Sequence, residues 1–258
     1  MKEISDLIKT FFAYLSRPKF YRELRRKIYK NVFLRESSFK GKEEAAVWCK
    51  KMAVSQNQAI RNLTQTQNIQ TLENLFPAEM SYAKNAKDMC PVKMGGAGAL
   101  EIIYYLCEYT RAEFVLETGV AYGWSSLAAL LSLKNRNGIL YSSDMPYLGK
   151  KNDTFVGCVL PQELRKNWKL FRYADKESLP RIFREQNTFQ LIHYDSDKSY
   201  NGRLWAYPLL WKHLEKQGIL ISDDIGDNAA FMEFCTTLNL IPTIIGFDDK
   251  FAGILVKN

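Results

Sequence analysis

The chain has 258 residues, 47% of them apolar and 13% aromatic, which suits one α/β domain with an extension or two small domains. No apolar run approaches the roughly 20 residues needed to span a bilayer, and the opening MKEISDLIKT carries acids too early for a signal peptide. The net charge of +8 is unevenly placed: residues 1–62 hold 15 Lys/Arg against 6 Asp/Glu, a net of +9, so the rest of the chain sums to −1.

Residues 1–110 read as helical. Ile4, Leu7, Ile8, Phe11, Phe12 and Leu15 recur at helical spacing, and Arg17-Pro18 breaks the pattern. Phe20, Tyr21, Leu24, Ile28 and Val32 resume it, with Arg22, Arg25, Arg26, Lys27 and Lys30 between them. This predicts an amphipathic helix pair docked on the core or on a second copy of the chain. The same pattern suits peripheral contact of residues 1–35 with an anionic membrane surface at the inner face. Nucleic acid is disfavoured, since no recognised binding motif accompanies the charge. Residues 52–95 read as a helix and a long loop, and Gly95-Gly96-Ala97-Gly98 precedes an apolar helix from Leu100 to Cys107. That glycine cluster is a hinge over a pocket or simply a helix start. The expected division is a helical extension and cap over 1–94 and a second domain over 95–258.

From Glu113 onward strands and helices alternate. The strands expected are Phe114–Leu116, Ile139–Ser142, Trp168–Tyr173, Gln190–Tyr194 and Gly218–Ser222, which predicts a Rossmann-like, doubly wound parallel sheet. Thr243–Phe247 and Phe251–Val256 are separated only by Asp248-Asp249-Lys250, and so short a link demands an antiparallel hairpin.

The stretch FVLETGVAYGWSS ends a strand in Glu117 and places Gly119 and Gly123 before a helix start at Ser125. Such a strand, loop and helix start cradles a nucleoside-bearing cofactor in many α/β proteins. The G-x-G-x-x-G of a dinucleotide loop is missing, which disfavours a nicotinamide-dependent oxidoreductase. Ligands of open α/β sheets bind beyond the carboxyl ends of the strands. The polar residues there are Glu117, Asp144, Asp175, Asp195 and the pair Asp223-Asp224, acids after five successive strands. Crowded together they would repel one another, so a cationic partner is expected among them. Asp144 stands where a carboxylate can accept ribose hydroxyls. The five dispersed cysteines (Cys49, Cys90, Cys107, Cys158, Cys235) fit free thiols in a reducing cytoplasm. Without zinc-spaced cysteines, GxSxG, HExxH or a Walker A loop, hydrolase, NTPase and zinc-enzyme readings lose their support.

E-x-G-x-x-x-G-x-S-S resembles motif I of class I S-adenosylmethionine (SAM)-dependent methyltransferases, and the parallel sheet closed by a hairpin resembles their architecture. LIHYDSDKSYNG and GILISDDIGDN resemble the DGDHSY-type and double-aspartate segments of a bacterial O-methyltransferase family that modifies sugars and antibiotics, macrocin O-methyltransferase-like enzymes among them. The resemblance covers roughly residues 95–225. It implies SAM held by Glu117, Gly119, Gly123, Ser125 and Asp144, with Asp175 either near the adenine or capping a helix. It also implies Mg²⁺ held by Asp195, Asp223 and Asp224, and as acceptor a hydroxyl of a sugar, glycan or glycosylated metabolite.

The sequence departs from that pattern in three places: Ser196 replaces a glycine, Ala206 stands where an aspartate is common, and Lys198 replaces a histidine. Lys198 lies three residues past Asp195, the spacing of the catalytic lysine in catechol-type O-methyltransferases. This implies Lys198 as the base, its pKa lowered beside metal and substrate, and a catechol-like acceptor as an alternative. A scaffold that has kept the fold without the chemistry is the other alternative. His193, two residues before Asp195, is expected to be structural, and His213 to lie at the surface or in packing.

Overall fold

A computed structural model describes residues 12–14, 16–33, 39–146, 153–247 and 249–258. Ile4, Leu7, Ile8, Phe11 and Leu15, the first helical pattern, lie outside the described residues, as does Asp248 of the hairpin link. The described helices are α1 (Tyr21–Phe33), α2 (Lys42–Met52), α3 (Gln56–Thr64), α4 (Leu72–Leu75), α5 (Pro77–Asp88), α6 (Leu100–Tyr109), α7 (Trp124–Leu133), α8 (Asp175–Glu185), α9 (Tyr200–His213) and α10 (Ala230–Leu238). The strands are β1 (Ala53–Val54), β2 (Phe114–Thr118), β3 (Ile139–Ser143), β4 (Trp168–Phe171), β5 (Phe189–Tyr194), β6 (Leu214–Ser222), β7 (Thr243–Phe247) and β8 (Lys250–Val256).

The strands form one sheet in the order β1-β7-β8-β6-β5-β2-β3-β4. β8 pairs antiparallel with both β6 and β7, and the remaining pairings are parallel. The expected doubly wound sheet and terminal hairpin are therefore both present. β1 was not legible as a strand. Two residues, Ala53 and Val54, are too few to show an alternation, and their pairing with Ile244 and Ile245 of β7 comes from a distant part of the chain. The segment read as one helix and a long loop also holds three helices. Ser55 and Thr71 cap the first two by accepting hydrogen bonds from the backbone N–H groups of Gln58 and Asn74.

Side-chain alternation along the strands divides the core in two. Val115, Leu140, Leu191, Ile219, Ile221, Ile245 and Ile254 face α3, α6 and α7. Their neighbours Leu116, Tyr141, Ile192, Leu220, Ile244 and Leu255 face α2, α8, α9 and α10. Both faces are covered, which is why the central strands are nearly continuous apolar runs.

The parallel strands end level with one another. Thr118 is in register with Ser143 and Tyr194, and Tyr194 with Ser222. The backbone ladder then runs one residue further. The amide N–H groups of Gly119, Asp144, Asp195 and Asp223 donate to the carbonyls of Ser143, Phe171, Thr118 and Tyr194 at 2.8–3.1 Å. Residues at or just past these ends therefore emerge in one row along the carboxyl edge.

Candidate functional site

Glu117 is 2% exposed and its carboxylate accepts three hydrogen bonds from within the protein. Ser125 Oγ donates to Oε1 at 2.5 Å, and Ser126 Oγ and Ser142 Oγ donate to Oε2 at 2.5 and 2.8 Å. The acid ties the end of β2 to the start of α7 and to β3. Ser125, which the resemblance implies as a cofactor contact, spends its hydroxyl on Glu117.

The two loop glycines are required by close approach of the chain itself. Gly119 has φ +83°, and a Cβ there would lie 2.4 Å from the Asp195 carbonyl oxygen. Gly123, at φ +95°, leads into α7, and its Cβ would lie 2.9 Å from Gly157 Cα. Residues 157–160 are laid along the loop. Gly157 N–H donates to the Ala121 carbonyl at 3.0 Å, and Val159 N–H to the Tyr122 carbonyl at 3.2 Å. Arg165 holds this segment from the far side through the Gly157 carbonyl at 2.6 Å.

Asp144 pairs with Arg172, which also reaches Asp153 at 2.8 Å. Burial pushes the Asp144 carboxyl above its ordinary pKa, against the pull of Arg172. Asp175 begins α8 and accepts from Ser143 Oγ at 2.8 Å and from Ser196 Oγ. Burial carries it to about 6, despite the two hydroxyls. It bridges the end of β3 and the turn after β5 rather than capping its own helix.

Beyond β5 and β6 the charges are densest. Lys198 Nζ lies 2.9 Å from Asp195 Oδ1 and also pairs with Asp224 Oδ2, while Lys250 Nζ is 3.3 Å from Asp224 Oδ1. Asp223 Oδ2 lies 3.4 Å from Nε2 of the buried His193, whose Nδ1 is 4.0 Å from Glu117 Oε1. Burial and the neighbouring Asp223 raise the Asp195 carboxyl, against Lys198. Burial alone would raise Asp224, but Lys198 and Lys250 hold it below the usual range. Burial would lower both cations. Asp195 and Asp224 nonetheless keep Lys198 above the ordinary lysine value, and Asp223 and Glu117 keep His193 above the ordinary imidazole value. Lys198 is thus held as an ammonium, the reverse of the lowering expected for a base. An ammonium has no lone pair with which to take a proton.

The implied Mg²⁺ site does not fit this arrangement. Two of its three carboxylates converge on a lysine nitrogen, and the third turns to a histidine. Among the described residues no three His, Cys, Asp or Glu side chains are grouped around a common point.

Several functional neighbours escaped the sequence reading. Arg203 is fully buried, and its Nη2 donates to the backbone carbonyls of both Asp223 and Asp224 at 2.8 Å. It braces a turn in which Asp224 adopts φ +52°. Asn228 Nδ2 donates to the Lys198 carbonyl at 2.8 Å. A lone arginine on a helix gives no sequence signal of this kind, although Arg172, directly after β4, could have been noticed as a partner for the acids. The glycine cluster lies at the rim of the site. A Cβ on Gly95 would be 3.6 Å from Ala121 Cβ and one on Gly98 3.9 Å from Asp223 Oδ2, while Gly96 faces open space. His193 is buried as expected, and His213 stacks on Phe183 with ring centroids 3.6 Å apart.

Residues 116–225 match the model of a family described as a methyltransferase domain. Among solved structures, the chain is similar to an O-methyltransferase from Bacillus cereus in complex with SAH (TM-score 0.57, 13% identity, 77% of this chain and 100% of that one). It is also similar to an SAH-bound methyltransferase from Podospora anserina (TM-score 0.52, 13% identity, 84% and 95%). A third is TomG of Streptomyces achromogenes, an O-methyltransferase involved in tomaymycin synthesis, in complex with SAM (TM-score 0.53, 16% identity, 72% and 94%). No curated protein matches the chain. At these identities the structural likenesses establish the fold, and the family model matches less than half of the chain. The chain has the fold of class I methyltransferases, and residues 116–225 within it match the model of a methyltransferase domain.

Proposed function

We propose that the protein is a SAM-dependent O-methyltransferase acting on a hydroxyl of a sugar, glycan or glycosylated metabolite. The observation that carries this reading is the row of acids and loop glycines along the carboxyl edge of a sheet whose residues 116–225 match a methyltransferase domain. The SAH and SAM held by similar structures support the cofactor. The likeness of LIHYDSDKSYNG to sugar- and antibiotic-modifying enzymes supports the acceptor class.

Bound in this crevice, SAM would supply an electrophilic methyl group on a sulfonium. The residues suit it. The backbone N–H groups opening α7 favour its carboxylate end. Asp144, placed one residue past β3, suits ribose hydroxyls. The carboxylates of Asp195 and Asp223 suit its cationic end. Asp175 shapes the adenine side by locking Ser143 to Ser196. An acceptor oxygen held there would take that methyl group, the carbon–sulfur bond giving up its electron pair to sulfur as the new carbon–oxygen bond formed. We assign the departing hydroxyl proton to Asp195, which keeps one carboxylate oxygen outside its pair with Lys198. Holding these groups in place before reaction is the main source of rate acceleration.

Calorimetric titration of S-adenosylhomocysteine into the full chain tests the cofactor. Micromolar binding at one site per chain is expected, and no binding by folded protein would sink the reading. Methyl-labelled SAM, offered with a panel of glycosides and a panel of catechols, then tests the acceptor. Label confined to the catechols would replace the sugar assignment.

A further inference from the structure

We infer that Lys198 is a built-in cation that takes the place of a divalent metal in methyl transfer by this protein, so that the reaction is metal-independent. This rests on the methyltransferase reading given above.

Asp195, Asp223 and Asp224 lie beyond the neighbouring ends of β5 and β6, where unbalanced carboxylates would repel one another. Each already has a partner from the chain: Lys198 for Asp195, Lys198 and Lys250 for Asp224, and His193 for Asp223. Two lysines and a histidine ring nitrogen therefore answer three acids. A divalent ion would have to displace the Lys198 ammonium from both its carboxylates, leaving that ammonium half-buried without its partners. Displacement of this kind is opposed, because Lys198 would give up two ion pairs at once, one of them with the largely buried Asp224.

The lysine is also held from its own backbone. Asn228 Nδ2 donates to its carbonyl, and Arg203 Nη1 reaches Asn228 Oδ1 at 3.4 Å while Nη2 holds the carbonyls of Asp223 and Asp224. One buried guanidinium thus fixes both the lysine-bearing turn and the turn that carries its partner. An ammonium has three N–H groups, and two carboxylates leave donor capacity for a ligand oxygen. Placed at the carboxyl edge of the sheet, that N–H would orient an acceptor hydroxyl. It would also stabilise the negative charge that gathers on the oxygen as its proton passes to Asp195. A metal supplies the same electrostatic service in metal-dependent enzymes.

The test measures cation binding directly. Mn²⁺, as a paramagnetic substitute for Mg²⁺, is titrated into the full chain and into Lys198→Ala and Lys198→Arg, with free Mn²⁺ read by electron paramagnetic resonance. S-adenosylhomocysteine binding is measured in parallel, with EDTA and with Mg²⁺. We expect no stoichiometric Mn²⁺ binding by the wild type or by Lys198→Arg. Lys198→Ala, which uncovers Asp195 and Asp224, should bind Mn²⁺ at least tenfold more tightly than the wild type. S-adenosylhomocysteine affinity should be unchanged by EDTA. One tightly bound Mn²⁺ per wild-type chain would overturn the proposal, as would a folded Lys198→Ala with no gain in Mn²⁺ affinity. If Lys198→Ala does not fold, the wild type and Lys198→Arg still decide the matter. Absence of S-adenosylhomocysteine binding in every folded variant would instead defeat the methyltransferase reading, whatever the Mn²⁺ result.

Discussion

Asp175 shows how a single residue's surroundings set its chemistry. Its carboxyl rises from the ordinary value near 3.8 to about 6, burial outweighing the hydroxyls of Ser143 and Ser196. The folded protein therefore holds a proton there that the unfolded chain has already released between about pH 4 and pH 6. Stability falls as pH rises through that window, and the loss is complete above the folded value. Asp175→Asn removes the titration while keeping the side chain's size. We expect it to stabilise the protein by about 1–2 kcal/mol at pH 8, a figure reduced for partial solvent screening, and to have little effect at pH 4. Urea unfolding of both proteins at the two pH values measures this. An equal effect at both would refute the raised pKa. The sequence showed that an acid stands here. Its partners, Ser143 at the end of β3 and Ser196 in the turn after β5, lie 32 and 21 residues away and were invisible as partners.

Among the elements, β8 is a strand on which a helix rests at close range. It lies between β6 and β7 and reverses direction, and Gly253 pairs with Ser222 on one side and Ile244 on the other. A Cβ on Gly253 would lie 2.2 Å from the Phe231 ring of α10. The glycine is there so that an aromatic ring can rest directly on the strand. Gly253→Ala should cost about 1–3 kcal/mol through this overlap. Phe231→Leu should recover part of that cost, so the two substitutions are non-additive by at least about 0.5 kcal/mol. A double-mutant cycle by guanidinium unfolding reads the coupling, and strict additivity would show that the strand yields elsewhere. Elements of this kind were well marked in the sequence. Strands buried on both faces appear as short apolar runs between turn signals, and the three-residue hairpin link admits one geometry. β1 was not marked, because a two-residue strand owes its existence to its partner.

For the whole molecule, the uneven charge motivates a proposal about where the protein makes contact. α1 docks on the domain through Leu24, beside Phe20, Met145 and Tyr173, and through Arg26, which pairs with Glu177 at 2.7 Å. Tyr21, Ile28 and Tyr29 stay exposed, with Arg22 and Arg25 exposed beside them. Among the described residues no helix is long and apolar enough to cross a membrane. An aromatic and basic face of this kind suits peripheral contact with anionic lipid. Cosedimentation of the full chain with anionic vesicles should exceed that with neutral vesicles and should fall as salt is raised. Arg22→Glu/Arg25→Glu should abolish the difference. Equal pelleting with both vesicle types would remove the idea.

Composition, periodicity and turn chemistry are local properties, and they sufficed for the fold class, the central strands, the hairpin and the acids at the strand ends. Backbone preference and side-chain alternation act within a few residues and leave their mark in consecutive letters. Whether an acid faces a metal, a lysine or a serine depends on residues brought together from far along the chain. Only the folded sheet could set Lys198 against Asp224, place Arg203 beneath the acidic turn and turn Asp223 toward His193. The same list of acids is compatible with a bound metal or with internal ion pairs. The choice belongs to tertiary structure, because charge balance is struck between neighbours in space.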